Sequence, residues 1–372
     1  MIAKRNLPAK RNISLDGKSL SPFIANLDLN GDFFRVPAGA KLNNGHMFSF
    51  AQVQYDGAND YTHQNIGVSK STDGGKTWGS KHILSRAESM GSRILNPTVI
   101  YDEQLNKLIV FVTELFSLDS SIYWWKLPDN LWKTYTYTSI DNGVTWEKRD
   151  ITNSIKSQTG TNQTVVMGGL GTGVKMVDGT YVLGVEVGFY DGINAQIQMC
   201  LIYSKDLVQW TMSTPINTMG DEFNIVLLDN NTILVNARNF KTVTPKARKI
   251  YTTQNMGNTW VEHVTHQTIV ENRATMGHTL KIAYEGEEYI IFSHMQSENL
   301  TRKKLGLSVL NEGGSNWNPV QIIQQDEYGG YSFLLWNSNT PSKLHILYGM
   351  GGNILCDDIS HLLPLIVANY TI

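Results

Sequence analysis

The octapeptide STDGGKTW occupies residues Ser71–Trp78 and has the form S-x-D-x-G-x-T-W. The same form returns as SIDNGVTW at Ser139–Trp146 and, softened, as TQNMGNTW at Thr253–Trp260. Two degenerate copies follow it less closely, one shortened at Ser204–Trp210 and one lengthened at Ser308–Trp317. We call each of these five segments a box. An internal repeat of this kind is typical of a fold built from repeated structural units.

Each residue type in the box has a structural reason. The Asp or Asn can accept backbone N–H bonds within a hairpin turn, the Gly supplies a positive φ angle, and the Trp packs between neighbouring sheets. The boxes begin roughly 50 to 70 residues apart, which is typical of propeller blades with four strands each. Five boxes in a chain of 372 residues predict an all-β fold, a six-bladed β-propeller in which one blade has lost its box.

The remaining sequence agrees with an all-β fold. Short apolar or alternating runs recur, for example at Met47–Val53, Lys107–Thr113 and Tyr181–Val187, and clusters of turn residues separate them. No stretch has a sustained apolar period of 3.6 residues, so we expect few and short helices, with one helical turn in the aromatic-rich loop Asp119–Trp132. We expect residues 1–372 to form one propeller domain, with roughly the first 20 residues as a tail or a closing strand.

Composition excludes several functional classes. The net charge of −2 argues against a broad nucleic-acid interface, and no apolar run is long enough to span a bilayer. The only cysteines, Cys200 and Cys356, exclude a disulfide framework and a cysteine-based zinc site, and we expect no metal and no cofactor. The N-terminal segment MIAKRNLPAKRNISLDG is basic but lacks the apolar core of a secretory signal, so we expect a cytoplasmic protein.

Several stretches resemble the exo-α-sialidases, or neuraminidases, and the resemblance runs from about Phe33 to Tyr348. The boxes resemble the Asp-boxes of that family. The other matching stretches are FFRVP at 33–37, KLNNG at 41–45, FSFAQ at 48–52, SRILNPTVIYD at 92–102, GLGTG at 169–173, NAR at 236–238 and YS at 331–332. The resemblance implies a sialidase-type propeller with one pocket at its central axis and sialylated glycans or glycoconjugates as partners.

The resemblance also implies which residues would bind the sugar. Arg35, Arg238 and Arg302 match the three arginines that clamp the carboxylate of sialic acid. Guanidinium suits this task because it is planar, permanently charged and able to form two parallel hydrogen bonds with a carboxylate. Arg93 and Asn96 match the side of the pocket that holds the 4-hydroxyl and N-acyl groups.

A general acid is needed for the departing glycosidic oxygen. Asp60 lies after Arg35 and just ahead of the first box, where the family keeps its acid. Asp56 is a nearby alternative.

A nucleophile is needed as well, and sialidases use tyrosine instead of a second carboxylate. A carboxylate that attacked a carbon bearing another carboxylate would suffer like-charge repulsion, whereas a neutral phenol would not. Since the ordinary pKa of tyrosine is about 10, the phenol needs a base. Tyr331 matches the nucleophile and Glu222 its base, with Tyr328 and Asp221 as the respective alternatives.

The chain departs from the family pattern at three places. Asp221-Glu222 replaces a common Asn-Glu pair, Gln54-Tyr55 stands where the animal enzymes have another arginine, and Glu186–Phe189 replaces a pair of pocket tyrosines. These changes concern how the N-acyl group, the glycerol chain and the 4-hydroxyl are held. The resemblance implies a retaining exo-α-sialidase. Three alternatives stay open, namely a non-catalytic sialic-acid-binding propeller, a trans-sialidase and an enzyme specific for deaminated sialic acid.

Overall fold

The structure is a computed structural model that describes residues 20–216, 220–239, 247–271, 275–296, 301–325, 330–337 and 342–371. Within these ranges the strands form six successive groups, and the paired strands within each group are antiparallel. The first two groups belong to one sheet, in which a single parallel bridge between Gln64 and Arg93 joins them.

The strands are as follows. The first group contains β1 (Phe33–Lys41), β2 (Met47–Gln54), β3 (Gln64–Ser71) and β4 (Gly79–Ser85), and the second contains β5 (Arg93–Asp102), β6 (Lys107–Leu115), β7 (Trp132–Ser139) and β8 (Glu147–Asp150). The third contains β9 (Gln163–Gly168), β10 (Val174–Lys175), β11 (Tyr181–Tyr190), β12 (Ala195–Ser204) and β13 (Thr211–Met212), and the fourth contains β14 (Gly220–Leu227), β15 (Ile233–Asn239), β16 (Lys249–Thr253) and β17 (Val261–Glu262). The fifth contains β18 (His278–Tyr284), β19 (Glu287–Met295), β20 (Leu305–Leu310) and β21 (Trp317–Gln324), and the sixth contains β22 (Ser332–Asn337), β23 (Lys343–Met350) and β24 (Asn353–Asp358).

The six groups close into a ring through their first strands. Strand β1 contacts β5, β5 contacts β9, the third group contacts β14 through β10 and β11, β14 contacts β18, β18 contacts β22, and β22 contacts β1. A closed ring of antiparallel sheets is a β-propeller, which confirms the predicted all-β propeller fold. We therefore call the six groups blades one to six.

The boxes form the turns between the last two strands of blades one to five. In the first box, Ser71 Oγ accepts the Gly75 N–H at 2.9 Å and Asp73 Oδ1 accepts the Thr77 N–H at 2.9 Å, while Trp78 is fully buried. In the lengthened fifth box, Asn311 takes the place of the aspartate and accepts the Ser315 N–H at 2.8 Å. The box residues thus stabilise the hairpin turns, as the sequence predicted.

Residues near the N-terminus join the last blade to the first. The N–H of Ile354 in β24 donates to the carbonyl of Phe23 at 3.1 Å, so Phe23 extends the sheet of blade six. The ring of Phe23 stacks on Phe34 of β1 at 4.9 Å between centroids, and the Phe34 N–H donates to the carbonyl of Gly352 at 2.8 Å. This contact closes the ring with backbone hydrogen bonds and apolar packing.

Within the described ranges the helices are few and short, as predicted. They are α1 (Thr152–Lys156), α2 (Leu363–Tyr370) and three 3-10 turns at Trp124–Lys126, Asp129–Leu131 and Ser360–Leu362. Two of the 3-10 turns lie in the aromatic-rich loop where one helical turn was expected. Among the described residues, none of the helices is long and apolar enough to cross a membrane.

The ring positions the site because every blade begins with its innermost strand. Arg35 lies near the start of β1, Arg93 at the start of β5, Glu222 near the start of β14, and Tyr331 immediately before β22. The starts of the innermost strands meet at one end of the ring, so residues far apart in sequence come together there.

Candidate active site

Arg35, Asp60 and Arg93 form one connected network. Arg35 Nη1 pairs with Asp60 Oδ1, and the Asp60 side chain remains 64% exposed while that of Arg35 is 18% exposed. Arg93 Nη1 donates to the backbone carbonyl of Asp60, and its guanidinium carbon lies 4.3 Å from the centroid of the Tyr61 ring. Two predicted arginines thus hold the loop that presents the predicted acid.

Three buried glutamines fix the same loop, a role that the sequence did not predict for any of them. Gln64 Nε2 donates to the carbonyl of Asp60 at 2.9 Å, and Gln54 Nε2 donates to the carbonyl of Asn59 at 3.2 Å. Gln52, which pairs with Arg35 across β1 and β2, donates to Gln64 Oε1 at 2.8 Å. Glutamines in otherwise apolar strands were the signal that could have identified them, because buried polar side chains need partners.

Tyr331, Glu222 and Arg238 form a second network. The Tyr331 hydroxyl donates to Glu222 Oε1, and Arg238 Nη1 pairs with Glu222 Oε2. Glu222 lies at a β-bulge in β14, where the register with β15 shifts between Asp221 and Phe223, and its φ angle is 41°. A positive φ is uncommon for residues other than glycine, and such strain is concentrated at functional sites.

The two networks meet around the Tyr331 ring. The guanidinium carbon of Arg35 lies 5.7 Å from the ring centroid, and that of Arg302 lies 5.9 Å from it. Gly330 explains how Arg302 comes so close, because a Cβ atom at Gly330 would lie 2.8 Å from Arg302 Cδ and the φ angle there is 88°. All three predicted clamp arginines therefore converge on the predicted nucleophile.

The charges around Glu222 and Tyr331 set their protonation. Burial opposes ionisation of Glu222, but Arg238, the Tyr331 hydrogen bond and Arg302 together hold the pKa of Glu222 below its ordinary value. Burial and the negative charge of Glu222 raise the pKa of Tyr331 above its ordinary value. At neutral pH the pair is thus a carboxylate that accepts a hydrogen bond from a neutral phenol.

The alternative base and the alternative acid do not make the contacts that Glu222 and Asp60 make. Asp221 Oδ1 lies 3.6 Å from Arg238 Nε, whereas the Tyr331 hydroxyl is bonded to Glu222. Asp56 lies exposed in the Asp60 loop, and it is Asp60 that Arg35 contacts. Tyr328 lies outside the described residues. The geometry favours Asp60 and Glu222 over their rivals, and the catalytic roles stay predictions.

Asn96 does not contact the Asp60 loop and instead forms a hydrogen bond between two blades. It lies in a bulge of β5 with a φ angle of 56°, and its Nδ2 donates to the carbonyl of Gly168 at 2.8 Å. This bond ties blade two to β9 of blade three. The structure therefore places Arg93 with the acid loop and Asn96 between two blades, and a role in sugar binding stays a prediction for both.

The described residues contain no group of three or more His, Cys, Asp or Glu side chains arranged to hold a metal ion. Both cysteines are free. The site contains a cluster of arginines, a neutral phenol that donates a hydrogen bond to a carboxylate, and an exposed aspartate. These groups suit the transfer of a sugar that carries a carboxylate.

Comparisons with known proteins place this arrangement in a family. A family profile described as the BNR repeat-like domain matches residues 50–346. The chain belongs to the BNR repeat-like domain family. This BNR repeat-like chain is 28% identical over 353 residues to a sialidase of Paraclostridium sordellii, a match that covers 89% of the chain and 85% of that protein.

Two solved structures have the same fold as this BNR repeat-like chain. The Hadza microbial sialidase Hz136 gives a TM-score of 0.77 at 22% identity, with 89% of this chain and 67% of that one covered. The Trypanosoma rangeli sialidase in complex with sialic acid gives a TM-score of 0.77 at 19% identity, with 97% of this chain covered. The chain spans 60% of the length of the T. rangeli protein.

Proposed function

We propose that the chain is a retaining exo-α-sialidase that hydrolyses terminal sialic acid from glycoconjugates. The observation that carries the proposal is the hydrogen bond from Tyr331 to Glu222, at a site where three arginines lie close to this pair. Similarity to the P. sordellii sialidase over 89% of the chain supports the same activity.

In this proposal the substrate carboxylate binds between Arg35, Arg238 and Arg302. Arg35 pairs with Asp60, and Arg238 pairs with Glu222. The substrate carboxylate would replace Asp60 as a partner of Arg35, which releases the Asp60 carboxyl toward the glycosidic oxygen. Because the Asp60 side chain is 64% exposed, it can turn without loss of buried contacts.

The first chemical step breaks the bond between the anomeric carbon and the glycosidic oxygen. Asp60 gives its proton to that oxygen, Tyr331 Oη bonds to the anomeric carbon, and Glu222 accepts the phenolic proton. In the second step water bonds to the anomeric carbon and gives a proton to the Asp60 carboxylate, while Tyr331 leaves and recovers its proton from Glu222. Two displacements at one carbon give net retention.

The order in which the product anomers form tests this function. Purified protein is mixed with an α-sialoside, and the released sugar is followed by proton NMR before mutarotation. We expect the α-anomer to appear first, and no release with Tyr331→Phe as the matched control. Appearance of the β-anomer first would contradict a retaining mechanism, and a wild-type protein that binds sialosides without cleaving them would contradict an enzyme.

A parallel assay with the deaminated sialoside measures the preference for the N-acyl group. We expect faster turnover of the N-acetylated sugar. A reversed preference would assign the chain to the variant that prefers deaminated sialic acid.

A further inference from the structure

Glu186 takes part in the Glu222 bulge although it belongs to a different blade. It lies in β11 of blade three, where it pairs with Met167 of β9 and Met199 of β12, and it is only 2% exposed. Its Oε1 accepts the backbone N–H of Glu222 in blade four. The carboxyl of Glu186 therefore reaches from one blade to the backbone of the next.

This hydrogen bond replaces one that the sheet does not supply. Asp221 pairs with Arg238 and Phe223 with Ala237, so Glu222 is the extra residue of the bulge without a partner in β15. A buried backbone N–H without an acceptor is strongly unfavourable. Glu186 provides the acceptor and so stabilises the backbone conformation from which the Glu222 side chain reaches Tyr331.

The charges near Glu186 are unbalanced. The carboxylates of Asp221 and Glu222 face it from β14 and the guanidinium of Arg238 faces it from β15, while its strand neighbours Met167 and Met199 are uncharged. Burial and the two carboxylates raise the pKa of Glu186 well above its ordinary value. If Glu186 were ionised, it would compete with Glu222 for Arg238 and add negative charge to a pocket that binds a carboxylate.

We propose that Glu186 is a positioning residue that acts as a neutral acid, holding the Glu222 bulge in place while leaving the charge of Arg238 to Glu222 and the substrate. The proposal deepens the proposed function, and its kinetic part rests on that function. The protonation of Glu186 and its effect on stability can be measured without any substrate.

Two substitutions at Glu186 distinguish the effect of its hydrogen bond to the Glu222 N–H from the effect of its carboxyl proton. Glu186→Gln keeps an oxygen that accepts the Glu222 N–H, and we expect kcat near that of wild type. Glu186→Ala removes the acceptor, and we expect kcat to fall roughly 10- to 100-fold with little change in KM, because Glu222 loses its orientation after the substrate has bound. A wild-type kcat in Glu186→Ala would overturn the positioning role.

The neutral-acid role predicts a pH-dependent difference in melting temperature. The folded chain keeps a proton on Glu186 that the unfolded chain releases above about pH 4.3, so wild-type stability declines as pH rises through that value toward the folded pKa. Glutamine has no such proton. We expect Tm of Glu186→Gln to exceed that of wild type at pH 7, and the difference to shrink toward pH 4.

Infrared difference spectroscopy gives a direct readout of the proton. The carbonyl stretch of a protonated carboxylic acid should be present in wild type at pH 7 and missing in Glu186→Gln. Absence of this band in wild type, together with equal Tm values at pH 7, would overturn the neutral-acid role.

Val185→Ala is the matched control for packing, because Val185 is the residue before Glu186 in β11, is fully buried and points to the opposite face of the sheet. It should lower Tm and leave kcat unchanged. An equal fall of kcat in Val185→Ala and Glu186→Ala would mean that any damage to β11 disturbs the site, and would overturn a specific role. Failure of wild type to cleave any sialoside would overturn the proposed function instead, while the infrared and Tm results would still decide the state of Glu186.

Discussion

A substitution at Arg302 can test whether the site needs the planar guanidinium group or only its positive charge. Its guanidinium lies over the Tyr331 ring and against Gly330. Lysine keeps the positive charge but loses the planar fork, so we expect Arg302→Lys to lose about 2–3 kcal/mol of transition-state binding. This corresponds to a fall of roughly 30- to 150-fold in kcat/KM, with Tm nearly unchanged.

Lys303→Ala is the neighbouring control for Arg302→Lys and should change neither quantity. Unchanged kinetics in Arg302→Lys would remove Arg302 from the carboxylate clamp. A large fall of Tm would instead assign it to a structural ion pair.

Asp60 can be distinguished from Asp56 through the leaving group. General acid catalysis contributes about 10²–10⁴-fold and matters most when the leaving alcohol is a poor one. We expect Asp60→Asn to lose activity of this size against sialosides of alkyl alcohols and much less against an aryl sialoside with an acidic phenol. Steady-state kinetics on both substrates measures the difference. Asp56→Asn should behave as wild type, and the same pattern in Asp56→Asn would exchange the two roles.

The individual residues of the site could be predicted from the sequence, but their contacts could not. Resemblance placed Arg35, Asp60, Arg238 and Tyr331 at matching motifs, and the structure brings them to one end of the ring. The contact of Glu186 with Glu222 could not be predicted. It depends on a one-residue bulge in β14, and no residue pattern in the sequence marks that bulge.

The boxes are elements whose role is structural. In the second box, Asp141 Oδ1 accepts the Thr145 N–H at 2.9 Å and lies 2.8 Å from Ser139 Oγ. These hydrogen bonds, those of Thr145 first, lower the pKa of Asp141 to about 2. We expect Asp141→Ala to lose about 1–2 kcal/mol of stability at pH 7 with kcat unchanged, because the turn lies between β7 and β8, away from the starts of the inner strands.

The pH dependence of this loss follows from the lowered pKa. The stabilisation is present above the ordinary pKa of aspartate, about 3.9, and is lost as pH falls toward 2. Thermal unfolding of wild type and Asp141→Ala should therefore converge in acid. Glu147→Ala, an exposed acidic neighbour in β8, should show no such loss at pH 7. A fall of kcat in Asp141→Ala without a fall of Tm would contradict a purely structural box.

Sequence patterns predicted the positions of the longer strands well. The alternating runs at Met47, Lys107 and Tyr181 begin strands at those residues. The two-residue strands β13 and β17 were not predicted, because such short edge strands depend on pairing with a neighbour and carry no period of their own.

The whole molecule depends on the closure of its ring. Phe23 is fully buried, pairs with Ile354 and stacks on Phe34, so it links the first and last blades. We expect Phe23→Ala to lower the free energy of unfolding in urea by about 3–5 kcal/mol. Leu27→Ala is the control, because Leu27 lies in the same segment but is 64% exposed. Equal stability of the two variants would contradict a closing role for Phe23.

The catalytic arrangement is a property of the closed ring as well. Glu222 and Tyr331 are 109 residues apart in sequence and belong to blades four and six, while Arg35 belongs to blade one. Repeat spacing could predict that the blades form a ring. It could not predict which end of the ring holds the site, and the structure shows that the site lies at the starts of the inner strands.

The central claim is that Tyr331 becomes covalently bonded to the sugar. The most direct test incubates the protein with 2,3-difluorosialic acid, digests it with trypsin and fragments the labelled peptide. Residues 305–343 form one tryptic peptide that contains both Tyr328 and Tyr331, so fragment ions must assign the label. We predict a single adduct on Tyr331, which is lost in Tyr331→Phe and kept in Tyr328→Phe. An adduct on Tyr328, on Glu222 or on any other residue would contradict the account.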